Sequence, residues 1–230
     1  MDSLRWMRSI VKALLLLVIC SHAWALDLSS ITNTEASGGL KEALVQGAGK
    51  AVGQLGSDGG FLNNPKVRIP LPEKLAPVEQ LLRTMGRGKD VDAFIASMNH
   101  AAEQAVPKAK PLLLNAVRQM SLSDAKQIIS GGEDAGTRYF KAHTAEQLTT
   151  AFLPVVRDVI QQSPLAEQYN KLLSKAAQFG LVQQDELVLE NYVARKAVDG
   201  LYLMIAEEEK SIRKDPLGAA GKLARKVFGG

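Results

Sequence analysis

The chain has 230 residues, with 28 Lys or Arg against 24 Asp or Glu, so its formal net charge is +4 at pH 7. Without residues 1–25, which hold three of the basic residues and one of the acidic ones, the charge falls to +2, and a nucleic-acid partner is not predicted. The one cysteine, Cys20, lies in that same segment, so the rest of the chain has no thiolate for a disulfide, for catalysis or for zinc.

Residues 1–25 have the three parts of a secretory signal peptide. A basic start precedes an apolar run at residues 13–20, and the small residues Ala23 and Ala25 follow at the spacing that a signal peptidase requires. We therefore predict cleavage after Ala25 and a periplasmic location, with a flexible N-terminal segment at residues 26–37.

Two other interpretations of this segment are weaker. The run of eight apolar residues spans only about 12 Å as a helix, against the roughly 30 Å of a bilayer core, which disfavours a permanent membrane anchor. Attachment of lipid to Cys20 is disfavoured because the preceding residue, Ile19, is bulky.

The next segments predict a helix followed by an extended strap. Residues 40–55 carry apolar side chains at helical spacing (Leu40, Leu44, Ala48, Ala51, Val52 and Leu55), and the glycines of residues 56–60 end this helix. In residues 63–72, apolar side chains alternate with Lys66, Arg68 and Pro70, which is the period of an extended chain. Pro70 and Pro72 exclude a central strand. We call residues 63–72 the strap and predict that it lies across the helices.

From residue 73 onward the apolar pattern is helical. The predicted core-facing stripes are Leu75, Val78, Leu81, Leu82 and Met85; then Val91, Phe94, Ile95, Met98, Ala102 and Ala105; then Leu112, Leu113, Ala116, Val117 and Met120; then Leu148, Phe152, Val155, Val156 and Val159; and finally Leu189, Val193, Ala197, Leu201 and Ile205. Ser121-x-x-Asp124 and Thr144-x-x-Gln147 both match the start of a helix. The prediction is an all-α fold, a single multi-helix bundle with one proline-rich extended strap, over residues 38–230.

The chain resembles DUF4197, a family of uncharacterised bacterial envelope proteins. The resemblance rests on blocks that follow in order: residues 64–72 (NPKVRIPLP), 98–103 (MNHAAE), Asp124-Ala125 with Gly131-Gly132, 137–140 (TRYF), 199–201 (DGL), 206–213 (AEEEKSIR), Asp215-Pro216 and 226–229 (KVFG). His100 stands where the family usually has Arg, and Gly136 where it usually has Ala. The resemblance implies export and a helical domain, without an established activity.

Asn99 and Glu103 are the first candidate ligand-binding residues, because a spacing of four places them on the same side of a helix. The functional interpretation makes Glu103 a ligand or general base and Asn99 the residue that positions a substrate. As a structural pair, Glu103 forms an ion pair with Arg138 or Arg157 that holds two helices in register.

Three further candidates are Arg138, Tyr139 and Glu208. Arg138 is suited to bidentate binding of a carboxylate or phosphate, and the alternative is an aromatic pair covered by the stem of the arginine. Residues 207–209, all Glu, are suited to a cation, and the alternative is a solvated face paired with Lys210, Arg213 and Lys214.

We predict no cofactor, no metal site and no catalytic residue, because no motif for any of them is present. The leading hypothesis is a non-enzymatic periplasmic or envelope protein that binds a small ligand or a partner protein in a groove beside the strap. One alternative is a small carboxylate-dependent enzyme centred on Glu103 and Arg138. The other is a membrane-surface protein that contacts lipid through the basic helix predicted at residues 217–228, Leu217 to Phe228.

Overall fold

A computed structural model describes residues 33–162 and 189–215, which form helices and connecting turns with no strand among them. The helices are α1 (Asn33–Leu55), α2 (Ala76–Thr84), α3 (Gly88–Ala105), α4 (Ala109–Gln119), α5 (Leu122–Ile129), α6 (Ala135–Gln161) and α7 (Leu189–Lys214). Short 3-10 turns at Glu73–Leu75 and Val106–Lys108 precede α2 and α4. The predicted all-α fold is confirmed.

The long helices α1, α3, α6 and α7 enclose the core. Helix α6 packs against α3, α4 and α7, and α1 packs against α4, α5 and α7. The predicted inward residues of α1 and α7 are all buried, because each set repeats along one side of its helix and that side meets the neighbouring helices. Helix α1 begins at Asn33, so residues 33–37 of the predicted N-terminal segment are helical.

The turn after α1 depends on two adjacent glycines. Gly59 has a φ of 75°, in the left-handed region that a side chain disfavours. A Cβ added at Gly60 would lie 2.4 Å from the carbonyl oxygen of Gln54. The turn therefore folds tightly back on the end of α1 and directs the chain into the strap.

The strap has the predicted alternation of buried and exposed residues. Val67 and Ile69 are buried, whereas Lys66, Arg68 and Pro70 are exposed. Residues 68–72 carry no helix or turn, in keeping with the prediction of an extended segment. The prediction is wrong for the first half of the strap, because residues 63 and 65–67 lie in turns and the N–H of Val67 donates to the carbonyl oxygen of Asn64 at 3.1 Å.

Two local predictions are wrong. Thr144 does not begin a helix, because α6 runs without a break from Ala135 to Gln161. Its hydroxyl is buried, donates to the carbonyl oxygen of Phe140 at 2.7 Å and lies 2.8 Å from the hydroxyl of Tyr202 on α7. The core-facing stripe predicted for residues 75–85 is also only partly correct. Leu75 is buried and Leu82 packs partly buried against the core, but Leu81 and Met85 are 59% and 65% exposed.

Candidate functional site

Asn99 on α3 holds the strap to the bundle. Its side-chain oxygen accepts the N–H of Ile69 at 2.8 Å, and its side-chain nitrogen donates to the carbonyl oxygen of Ile69 at 2.9 Å and to that of Ile95 at 2.8 Å. Asn99 is fully buried. The amide thus replaces a neighbouring strand for one residue of extended backbone, which satisfies both polar groups of Ile69.

Glu103, one helical turn further along α3, holds the turn after α1. Its Oε1 accepts the backbone N–H groups of Phe61 at 2.9 Å and Leu62 at 3.1 Å. Its Oε2 lies 2.7 Å from Nδ1 of His100. The predicted ion pair of Glu103 with Arg138 or Arg157 is wrong, because this buried carboxylate is bonded to backbone N–H groups and to an imidazole.

Asp58 approaches the same place from the turn. Its Oδ1 lies 3.8 Å from Nδ1 of His100. One oxygen or nitrogen atom from each of Asp58, His100 and Glu103 lies within 4.8 Å of the other two. The spacing of His100 and Glu103 along one helix is visible in the sequence, but the approach of Asp58 depends on tertiary folding and has no local signal.

Arg138 and Tyr139, at the start of α6, have separate contacts. Arg138 forms an ion pair with Asp134, one turn before it, and its side chain is 60% exposed. The Tyr139 hydroxyl donates to the carbonyl oxygen of Ala116 at 3.0 Å, and burial raises the pKa of this phenol. The predicted aromatic pair exists, with the rings of Tyr139 and Phe140 in an edge-to-face arrangement and their centroids 6.4 Å apart.

The solvated acidic face, given as the alternative for residues 207–209, holds only for Glu207, whose side chain is 38% exposed and bonds Lys66 at 2.6 Å. It is wrong for the next two residues. Glu208 and Glu209 are 9% and 6% exposed, and Glu208 bonds Lys50 of α1 at 2.7 Å. These two positions continue the buried stripe from Ile205 to Ile212 at helical spacing, and this spacing is the signal that would have shown their burial. Their contacts therefore connect α7 to other helices.

Glu209 caps the start of α6 from a distance. Its carboxylate accepts the backbone N–H of Gly136 at 2.9 Å and both the N–H and the hydroxyl of Thr137 at 2.8 Å. It also forms the predicted pair with Arg213, at 2.8 Å. The first N–H groups of a helix have no partner within the helix and carry partial positive charge, so a buried carboxylate is stabilised there.

The five predicted binding residues do not share partners. Asn99 and Glu103 bond the strap and the turn before it, Arg138 bonds Asp134, Tyr139 bonds α4, and Glu208 bonds α1. Among the described residues, every buried side-chain polar atom has a hydrogen-bond partner. These contacts therefore stabilise the fold, and each buried polar group among them already has a hydrogen-bond partner within the protein.

Two crevices beside α1 are too small for an organic ligand. The first, of about 10 Å³, lies against α7 and is lined mainly by Leu40, Leu44 and Ile205. The second, of about 30 Å³, lies against α4 and is lined mainly by Val52, Leu113 and Phe140. Such volumes hold a water molecule or two, whereas ligand pockets measure about 300–1,000 Å³.

These features define a class of protein, an all-helical bundle whose non-helical strap and turn are held by buried polar side chains of one helix. Residues 30–229 match the family described as "Protein of unknown function (DUF4197)". The chain belongs to the DUF4197 family, which confirms the resemblance found in its sequence. Comparison with curated proteins and with solved structures gives no match.

Proposed function

We propose that this protein is exported to the periplasm, where it acts without catalysis by binding a partner protein. The observation that carries the proposal is the exposure of two large apolar side chains, Leu81 on α2 and Met85 directly after its last residue. Water contact with such side chains is unfavourable, and burial against a partner recovers about 25 cal/mol for each Å² of apolar surface. We call Leu81 and Met85 the α2 surface.

The surroundings of the α2 surface suit a protein better than a membrane. Residues 73–92 hold four basic and four acidic side chains. Arg83 bonds both Glu79 and Asp92, at 2.9 and 2.7 Å, and Arg87 bonds Asp90 at 2.8 Å. Anionic lipid attracts clusters of basic residues, and here the guanidinium groups already face carboxylates.

The shape of this region also supports a macromolecular partner. An open depression of about 410 Å³ lies on α2 and is lined by Ala76, Glu79, Gln80, Arg83 and Thr84. An open concavity on the helix that also carries the exposed Leu81 accepts a protruding side chain or helix of another protein, whereas a small molecule requires enclosure. The small size of the crevices beside α1 supports the same choice.

Export is the second part of the proposal, and the N-terminal sequence supports it. In the described residues, no helix has both the length and the apolarity needed to cross a membrane. N-terminal sequencing of protein recovered from the periplasmic fraction should give Leu26 as the first residue. Recovery of the uncleaved chain from the cytoplasm would contradict export.

A photo-crosslinking experiment in whole cells tests the partner surface. A photoreactive amino acid at Met85 should give one discrete adduct, and the same residue at exposed Gln119 on α4 should give none. Leu81→Glu should abolish the Met85 adduct and leave the melting temperature unchanged, because Leu81 is exposed. An adduct that forms equally at both positions, or that survives Leu81→Glu, would contradict the proposal.

The two alternative functions have less support. The enzyme hypothesis requires Glu103 and Arg138 in one site, and their hydrogen bonds have no partner in common. The lipid-binding hypothesis depends on residues 217–228, which lie outside the described residues. Its test is the binding of the chain, with and without those residues, to vesicles of anionic lipid.

A further inference from the structure

The turn after α1 and helix α3 bring three metal-binding side chains together. His100 and Glu103 are three residues apart on α3, so they project from one face, and Asp58 reaches them from the turn. Nδ1 of His100 lies 2.7 Å from Oε2 of Glu103 and 3.8 Å from Oδ1 of Asp58. The three side chains range from buried to exposed, with 5%, 42% and 96% of Glu103, His100 and Asp58 accessible.

Glu103 is positioned as a metal ligand needs to be. The N–H groups of Phe61 and Leu62 hold its Oε1, so the carboxylate cannot rotate freely and Oε2 faces the imidazole. In established metal sites, a hydrogen bond to the ligand atom that does not bind the metal fixes the orientation of the ligand in the same way. The same two bonds tie the ligand to the turn that carries Asp58.

The charge of the cluster favours a cation. Two carboxylates face one imidazole, and among the described residues neither Glu103 nor Asp58 forms an ion pair with a lysine or an arginine. A buried carboxylate is costly without a positive charge beside it. A divalent ion placed between the three side chains supplies that charge.

We propose that Asp58, His100 and Glu103 bind one divalent transition-metal ion of the zinc class, with water in the remaining coordination position. Bond lengths of about 2.0–2.1 Å and tetrahedral geometry place neighbouring ligand atoms about 3.3 Å apart. The separations of 2.7 and 3.8 Å fall on either side of that value, and the exposed Asp58 side chain is free to adjust. The ion takes the place of the hydrogen between Nδ1 and Oε2.

The donor set selects among metals. An imidazole nitrogen suits zinc and its neighbours in the first transition row, while calcium and magnesium prefer sites made entirely of oxygen. Three protein ligands leave the fourth coordination position to water. The bound ion joins the turn to α3, so it stabilises the connection between α1 and the strap. This inference stands independently of the α2 surface.

The test is titration of the purified full chain, freed of metal with a chelator, with ZnCl₂ alone. Calorimetry should show one binding site, and saturating Zn²⁺ should raise the melting temperature, because an ion that binds only the folded state stabilises it. Co²⁺ in place of Zn²⁺ should give the visible absorption of a tetrahedral site. Absence of both heat and thermal shift at a large excess of Zn²⁺ would overturn the proposal.

Three variants locate the site. Asp58→Asn changes an exposed side chain, and His100→Arg keeps a basic group beside Glu103 while removing the imidazole, so both should fold. Each should weaken Zn²⁺ binding by about tenfold or more. His143→Gln removes an exposed imidazole on α6 and should bind as the unaltered chain does. Unchanged affinity in the first two variants, or loss of binding in the third, would refute the assignment.

Discussion

Replacement of Asn99 by Ala should release the strap from the bundle. The substitution removes both side-chain bonds to the backbone of Ile69. The N–H and the carbonyl oxygen of Ile69 are then left without this partner, and Ile69 is only 1% exposed. The carbonyl oxygen of Ile95 keeps its helical bond. An unsatisfied buried polar group costs about 1–3 kcal/mol, so two such groups should lower the free energy of unfolding by about 2–6 kcal/mol.

Urea unfolding followed by circular dichroism measures this effect. With an m value of about 2 kcal/mol/M, the midpoint should fall by roughly 1–3 M urea. Hydrogen exchange of the Ile69 amide should accelerate in the variant, which reports the strap itself. Asn115→Ala is the matched control, because Asn115 is an exposed asparagine inside helix α4, where the same substitution should change stability by about 0.5 kcal/mol or less. Equal midpoints for the two variants would refute the role assigned to Asn99.

Three further predictions concern α6 and its neighbours. Gly136→Ala should lower the free energy of unfolding by about 1–3 kcal/mol, measured by urea unfolding, because the added Cβ would lie 2.5 Å from Cδ2 of Leu44. An unchanged urea midpoint would show that Leu44 moves aside at little cost. Glu209→Gln should cost about 1.5–3 kcal/mol in the same assay, since it weakens the capping of α6, while the exposed Glu146→Gln should have almost no effect. Burial raises the pKa of Tyr202 above 10.0, so its contribution to stability is complete below pH 10 and is lost as the pH rises through the raised pKa. Tyr202→Phe should reduce this loss of stability at alkaline pH. An identical slope of unfolding free energy against pH in both proteins would contradict the explanation.

Local patterns in the sequence predicted those parts of the fold that local forces determine. Ser121 begins α5 as predicted, because it follows the end of α4 and its side chain is free to exchange hydrogen bonds with Asp124. Thr144 matches the same pattern but lies within a long helix, where a buried neighbour on α7 occupies its hydroxyl. The two cases differ in burial, which a four-residue pattern does not contain.

The candidate site was less predictable because its contacts connect distant parts of the chain. The sequence predicted that Asn99 and Glu103 lie on one side of the same helix, and both are buried there on α3. Their partners are backbone groups of the strap and the turn, and any residue type could supply these, so no side-chain pattern marks them. The sequence pattern favoured an arginine as the partner of Glu103, since carboxylates and arginines pair often, but two backbone N–H groups satisfy one of its oxygens equally well.

The long separation of these contacts along the chain determines what they contribute. Bonds from Asn99, Glu103 and Glu209 span 30, 42 and 73 residues, and closing loops of that length is entropically costly before the helices have packed. We therefore expect burial of the apolar stripes to bring the helices together, after which the polar bonds fix the position of the strap, the turn and the start of α6. The proposed metal ion would bind to a turn whose position Glu103 already fixes. Little conformational entropy would be lost on binding, so three protein ligands suffice for an affinity that a free loop would need more ligands to reach.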